Sequence, residues 1–114
     1  MTSDCLFCRM ASGEIPVDRL HEDDLVFAIR DINPQAPTHV LVIPVAHVAS
    51  AAELSAADGP LPGRLFEVAA AIARDEGLDG GFRLVTNIGP DGGQSVAHLH
   101  VHLLGGRRMA WPPG

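Results

Sequence analysis

Three histidines occupy alternate positions in the stretch SVAHLHVHLL, which runs from residue 95 to residue 104. They are His98, His100 and His102, and apolar residues stand between and after them. In an extended strand, side chains two apart point to the same face, with their Cα atoms about 6.6 Å apart. Three imidazoles on one face suit two kinds of chemistry, which are metal binding and covalent catalysis by an unprotonated ring nitrogen.

A hydrolytic zinc centre is one interpretation, because an H-x-H pair can bind zinc from a strand with a third ligand from elsewhere. Such a centre also needs an acidic group near its ligands. Asp91 lies across a glycine-rich turn, and Asp31 is remote in sequence. The alternative is covalent catalysis by one imidazole, whose other N–H is held by an acceptor such as a strand carbonyl.

The only two cysteines, Cys5 and Cys8, form a C-x-x-C pair. In a reducing compartment this spacing is typical of half a metal site or of a redox dithiol. A thioredoxin-like dithiol is disfavoured, because the pair does not follow a strand in a βαβ unit. Two reduced thiols that bind no metal remain the simplest alternative.

The elements that position these residues follow from hydrophobic spacing and from turn residues. A short helix is expected near the cysteines, and one long helix is expected between Pro60 and Gly77, where apolar residues recur with the 3.6-residue period. Strands are predicted up to about His21 and over 25–31, 38–44, 81–89 and 95–105. Successive strands with one substantial helix predict an α+β fold with an antiparallel sheet.

The composition narrows the class of protein. The chain has 114 residues, 46% of them hydrophobic and 19% charged, which predicts a single globular domain over residues 1–114. Its formal charge of −6 makes nucleic acid an unexpected partner. The sequence has no apolar run long enough to span a bilayer and no secretory leader pattern at its start, so we expect a cytoplasmic protein without a membrane partner.

The order GPDGGQSVAHLHVHLLGGR, followed by MAWPPG, resembles the histidine triad (HIT) family. The signature of that family is His-φ-His-φ-His-φ-φ, with φ apolar, and residues 98–104 fit it without a gap. Upstream, DCLFCRMASGEIP and EDDLVFAIRDINPQAPTHVLVIP resemble its purine nucleoside phosphoramidase branch. The resemblance covers nearly the whole chain.

The resemblance implies a fold and an assembly. The fold is a HIT-like five-stranded antiparallel sheet with one long and one short helix. The assembly is a homodimer whose two sheets join into one ten-stranded sheet, and the tail at residues 105–114 docks toward the partner.

The resemblance also implies an activity, the hydrolysis of the P–N bond in purine nucleoside 5′-monophosphoramidates. The middle histidine, His100, is then the nucleophile and carries a nucleotidyl intermediate. The resemblance implies that the other groups acting with it are His98, His102, Ser95 and His39. No P-loop lysine or acidic magnesium pair is evident in the sequence, so we expect turnover without magnesium.

By the same resemblance, Asp31 accepts hydrogen bonds from the ribose hydroxyls. The remaining candidates for nucleotide binding are Phe7, Met10, Ile15, Ile32, Leu41, Asn87, Gln94 and Trp111. The resemblance further implies a structural zinc ion, held by Cys5, Cys8, His47 and His98. Two alternatives stay open, which are a dinucleoside polyphosphate hydrolase and a non-catalytic nucleotide-binding or interaction protein with a structural zinc.

Overall fold

A computed structural model describes residues 4–114. Its elements, in chain order, are α1 (Leu6–Ala11), β1 (His21–Glu22), β2 (Val26–Arg30), β3 (Thr38–Pro44), α2 (Leu61–Asp75), β4 (Phe82–Val85) and β5 (Val101–Gly105). Two single 3₁₀ turns, at Ala51–Glu53 and Ala56–Asp58, lead from β3 into α2.

The five strands form one antiparallel sheet in the order β1-β2-β3-β5-β4. Strand β3 lies at the centre, and all seven of its residues are buried. The chain leaves β3, passes through α2, and returns as β4 at one edge before β5 fills the gap beside β3. This architecture confirms the predicted α+β class with one long and one short helix.

Helix α2 covers one face of the sheet because its apolar residues recur with the helical period. Its buried residues are Leu61, Leu65, Val68, Ala69, Ile72 and Ala73. They form one core with Leu99 and with the strand residues Val26, Ala28, Val40, Val42, Val101 and Leu103. Gly77 ends the helix region with a φ of +72°, a conformation that glycine adopts without steric cost.

The opposite face of the sheet carries α1 and a second, smaller core. Its buried members are Phe7, Phe27, Ile29, Leu41 and Ile43. Helix α1 has only six residues, far fewer than the roughly 12–15 that an isolated helix needs in water. Its position therefore depends on the groups that anchor it to the sheet.

The strand that carries the histidines is shorter than predicted. Strand β5 begins at Val101, so only His102 lies within it. The preceding segment leaves the sheet because the N–H of Leu99 donates to the carbonyl of Val48 at 2.6 Å. The side chains of this segment still alternate between the two faces of the sheet. Leu99 packs in the core under α2. The histidine rings lie on the other face, where the Phe7 ring contacts those of His98 and His100.

No helix within residues 4–114 is long and apolar enough to cross a membrane.

Candidate active site

A cleft opens on the α1 side of the sheet, where the first turns of α1, the end of β2 and the start of β5 meet. It holds a cavity of about 170 Å³ lined by Leu6, Phe7, Met10, Ile29, Arg30, Asp31, Ile32, Leu41, Ser95, Val96, His100 and His102. A second hollow of about 370 Å³ adjoins it and shares the residues Met10, Ile29, Arg30 and Ile32. Together they form a mostly apolar cleft with a few polar groups at one end, as small-molecule sites usually do.

The His100 imidazole has a defined tautomer. Its Nδ1 lies 2.8 Å from the backbone carbonyl of His98, and a carbonyl only accepts, so Nδ1 carries the proton. The Nε2 atom of the neutral ring therefore keeps its lone pair. The side chain is buried, and the ring of Phe7 meets it edge-on with centroids 5.1 Å apart. A neutral imidazole held in this way is suited to act as a nucleophile.

The His102 imidazole carries its proton on Nε2 instead of Nδ1, and the backbone N–H of Gln35 determines this through His39. The N–H of Gln35 donates to Nδ1 of His39 at 3.0 Å, so neutral His39 carries its proton on Nε2. That Nε2–H donates to Nδ1 of His102 at 2.9 Å, which leaves the proton of neutral His102 on Nε2. His100 therefore presents a lone pair to the cleft, and His102 presents an N–H donor.

The surroundings of His102 favour its neutral form. Burial lowers the pKa of His102, and the adjacent His100 and His39 rings lower it further, against a smaller opposing effect of Asp31. At neutral pH the ring is therefore a neutral N–H donor.

Asp31, His39 and His102 bring three metal-ligating atoms within 4.8 Å of one another. The hydrogen bonds described above argue against a metal at this point. The His39 Nε2 atom, 3.6 Å from Asp31 Oδ2, must carry a proton while its Nδ1 accepts from Gln35. A protonated ring nitrogen has no lone pair for a metal ion.

The other cluster, made of Cys5, Cys8, His47 and His98, fits a metal ion well. The His98 Nδ1 atom lies 3.2 Å from Cys5 Sγ, 3.4 Å from Cys8 Sγ and 3.1 Å from His47 Nδ1. A tetrahedral zinc ion, with bonds of about 2.3 Å to sulfur and about 2.0 Å to nitrogen, separates its ligand atoms by about 3.3–3.8 Å. Two thiolates and two imidazoles form a closed structural set of the kind that zinc prefers.

The tautomer of His98 agrees with this role. Its Nε2 lies 2.8 Å from the carbonyl of Pro44 and donates to it, so its Nδ1 lone pair faces the cysteines and His47. Burial lowers the pKa of His98, which keeps the ring neutral and able to bind a metal. His98 is fully buried and is placed in the metal cluster, and it does not line the cleft.

Asp31 lies at the cleft and also shapes the turn that follows β2. Its Oδ1 accepts from the N–H of Asn33 at 2.8 Å, as in an Asx turn. Its other oxygen, Oδ2, faces His39 from 3.6 Å. The carboxylate is half-buried, and one oxygen remains available to a ligand.

Four predicted binding residues lie outside the cleft. Gln94 accepts from the Gly89 N–H and donates to the carbonyls of Ala49 and Val96, so its amide stabilises the glycine-rich loop at residues 89–96. Asn87 Nδ2 donates to the carbonyl of Gly92, which again closes the loop. Ile15 does not line the cavity, and the Trp111 side chain is 85% exposed on the tail.

The cleft also contains residues that sequence reasoning missed. These are Leu6, Ile29, Arg30 and Val96. Ile29 could have been found, because it lies two residues before Asp31 in an extended segment and so shares its face. Nothing in the local pattern marks Arg30, whose guanidinium forms a bidentate pair with Glu76 at the end of α2.

Known proteins resemble this chain over nearly its full length. The family model of the HIT domain matches residues 12–109 of this chain. A 14 kDa zinc-binding protein of Brassica juncea is 49% identical over 113 residues, which cover 97% of this chain and all of that protein. A HIT family hydrolase from Legionella pneumophila has a TM-score of 0.93 with 49% identity, covering 97% of this chain and 100% of that one.

A histidine triad nucleotide-binding protein from Candida albicans is more distant, with a TM-score of 0.80 and 29% identity over 96% of this chain and 83% of that one. The family match covers most of the chain and includes the three alternating histidines. This chain belongs to the HIT domain family.

Proposed function

We propose that this protein hydrolyses the P–N bond of purine nucleoside 5′-monophosphoramidates through a nucleotidyl intermediate on His100. The observation that carries the proposal is the pair of opposite tautomers at the end of the cleft. Backbone groups leave a lone pair on His100 Nε2 and an N–H on His102 Nε2. A nucleophile beside a hydrogen-bond donor suits phosphoryl transfer without a metal, because the donor stabilises the charge that develops on the phosphoryl oxygens.

In the first step, His100 Nε2 attacks the α-phosphorus, a P–N bond to the ring forms, and the P–N bond to the substrate amine breaks. The leaving amine takes up one proton, which the exposed hydroxyl of Ser95 can pass from solvent. The His102 Nε2–H donates to a phosphoryl oxygen as negative charge builds up.

In the second step, water replaces His100 at phosphorus and releases the nucleotide, with one water proton lost to solvent. The carbonyl of His98 holds the His100 Nδ1–H in both steps, so the positive charge of the modified ring is stabilised where it forms.

The nucleotide is proposed to lie along the cleft with its phosphate at the histidines. Asp31 then accepts from the ribose hydroxyls through the oxygen that the turn does not use. The apolar walls formed by Met10, Ile32 and Leu41 receive the purine. The name of the Candida albicans protein, a nucleotide-binding protein, supports a nucleotide as the ligand.

The cluster of Cys5, Cys8, His47 and His98 is proposed to hold a structural zinc ion. The ligand distances support this assignment, as does the name of the Brassica juncea zinc-binding protein. Bound zinc would add folding stability to the short amino-terminal helix and supply no chemistry at phosphorus.

A homodimer is proposed because β4 is an edge strand with apolar surface beside it. Phe66 and Phe82 are exposed. Phe66 also lines an apolar groove with Ala51, Leu54, Pro62, Leu65, Leu84, Val85, Thr86, Leu99 and Val101. Arg83, on β4, donates to the carbonyls of Ala110 and Pro113 and so holds the tail beside the edge strand. The Trp111 side chain on that tail is exposed, and we propose that a second copy of the chain covers it.

The proposal is tested with an adenosine 5′-phosphoramidate, a guanosine 5′-phosphoramidate and a diadenosine polyphosphate. We expect turnover of the phosphoramidates that continues after EDTA treatment, and a His100→Asn variant that still binds AMP but does not turn over. A preference for the dinucleotide would favour a dinucleoside polyphosphate hydrolase. AMP binding without turnover in the unmodified protein would indicate a binding protein instead.

A further inference from the structure

Phe7 lies between the two cysteines in sequence, and its ring lies between the metal cluster and the nucleophile in space. The ring meets His98 edge-on with centroids 5.8 Å apart and meets His100 with centroids 5.1 Å apart. The side chain is only 4% exposed and also lines the cleft.

The backbone gives the cluster a second path to the nucleophile. The ring of His98 belongs to the cluster, while the carbonyl of the same residue accepts from His100 Nδ1 at 2.8 Å. Any movement of His98 therefore changes the group that defines the tautomer of His100.

Helix α1 depends on the cluster for its position. Cys5 caps the helix by accepting from the N–H of Cys8, and both thiols lie within 3.4 Å of the His98 ring. At the other end, Arg19 donates to the carbonyl of Met10 at 2.7 Å. Because six residues cannot sustain a helix alone, loss of the amino-terminal anchor is expected to release Phe7.

We propose that Phe7 is a positioning residue that couples the Cys5/Cys8/His47/His98 cluster to the His100 nucleophile. With the cluster loaded, the helix holds the Phe7 ring against His98 and His100, and His100 keeps its Nδ1–H on the His98 carbonyl. Without the metal, the ring and the carbonyl lose their fixed positions and His100 samples unproductive orientations. This inference rests on the proposed function for its kinetic part only.

The test compares Phe7→Leu with a matched variant, Leu6→Ala, in zinc-loaded protein. Leu6 belongs to the same helix and lines the same cleft, but it is 41% exposed and has no aromatic ring. We expect Phe7→Leu to lower kcat about three- to ten-fold with a smaller change in KM, the size of a lost aromatic contact. Leu6→Ala is expected to raise KM and to leave kcat within about two-fold.

A second measurement needs no turnover. The His100 Nδ1–H proton should give a slowly exchanging NMR resonance in the zinc-loaded, unmodified protein. We expect that resonance to broaden in Phe7→Leu and after removal of zinc by a chelator under reducing conditions, while Leu6→Ala keeps it. Zinc removal should also lower kcat of the unmodified protein and cause little additional loss in Phe7→Leu.

The coupling is refuted if zinc removal leaves both the resonance and kcat unchanged, or if Phe7→Leu acts through KM alone, as Leu6→Ala does. Absence of turnover in the unmodified protein would refute the proposed function instead, and the resonance would still decide the coupling. Should Phe7→Leu fail to fold, the effect of zinc removal on the resonance of the unmodified protein decides whether the cluster and His100 are coupled.

Discussion

The hydrogen-bond chain from Gln35 through His39 to His102 gives the most direct test of how the fold sets the chemistry of the cleft. Replacement of His39 by Leu removes the only N–H that donates to His102 Nδ1 among the hydrogen bonds of residues 4–114. The His102 ring can then place its proton on either nitrogen. Only the Nε2–H form donates to the phosphoryl group, so part of the population becomes unproductive.

The structure bounds the size of the effect. His39 is buried and its hydrogen bond to His102 is 2.9 Å long, so its loss is worth about 1–2 kcal/mol. The N–H of Gln35 belongs to an exposed residue and can find water instead, which adds little. We therefore expect kcat/KM to fall about five- to thirty-fold, since each 1.4 kcal/mol is a factor of ten.

The assay is steady-state hydrolysis of an adenosine phosphoramidate, together with ¹⁵N NMR of the His102 ring. The matched variant is His39→Gln, whose amide can donate to His102 Nδ1 from a similar position. We expect this variant to keep at least about a third of the activity and the Nε2–H tautomer. A Leu variant within about two-fold of the unmodified protein, with an unchanged His102 spectrum, would refute the reasoning.

Three further predictions concern the loop, the pH dependence and the assembly. A Cβ at Gly92 would clash with the backbone oxygen of Ile88, so Gly92→Ala should cost at least about 1 kcal/mol of unfolding free energy in urea titrations. Gly63→Ala, in open space on α2, should stabilise the protein by about 0.5–1 kcal/mol, and equal effects of the two changes would contradict the loop geometry. The pKa of His102 is lower in the folded protein than in the unfolded chain, so the neutral ring favours the folded state. This contribution to the unfolding free energy is complete above the unfolded pKa of about 6.5 and is lost as the pH falls toward the folded value. The unfolding free energy should therefore fall more steeply between about pH 7 and pH 5 in the unmodified protein than in His102→Asn, and parallel curves would contradict this. Phe82→Glu on the edge strand should convert a dimer into a monomer in sedimentation experiments, whereas a monomeric unmodified protein would contradict the proposed assembly.

Much of the fold was predictable because burial on one face imposes a period on the sequence. The six buried residues of α2 recur at helical spacing, and β3 is a continuous apolar run closed by Pro44. The strand ends were not predictable. Strand β5 begins at Val101 because Leu99 bonds to Val48, a contact between residues that are remote in sequence.

The candidate site was predictable where residue type alone fixes the chemistry, as for the alternating histidines and the C-x-x-C pair. It was less predictable where a side chain can serve either a ligand or the backbone. The amide of Gln94 is used within the loop, and nothing local to its sequence reveals the carbonyl of Ala49, 45 residues away, that it reaches. The position of Phe7 between two histidine rings likewise depends on a long-range contact.

The measurement that tests the central claim most directly is chemical trapping of the intermediate. The protein is mixed with an adenosine phosphoramidate and quenched before one turnover is complete, at a pH that preserves phosphoramidate bonds. The position of the adenylyl group is then mapped by peptide mass spectrometry. We predict one adenylyl group on the ring of His100, and none in His100→Asn. An adenylyl group on another residue would contradict the assignment of His100 as nucleophile, as would efficient turnover by His100→Asn.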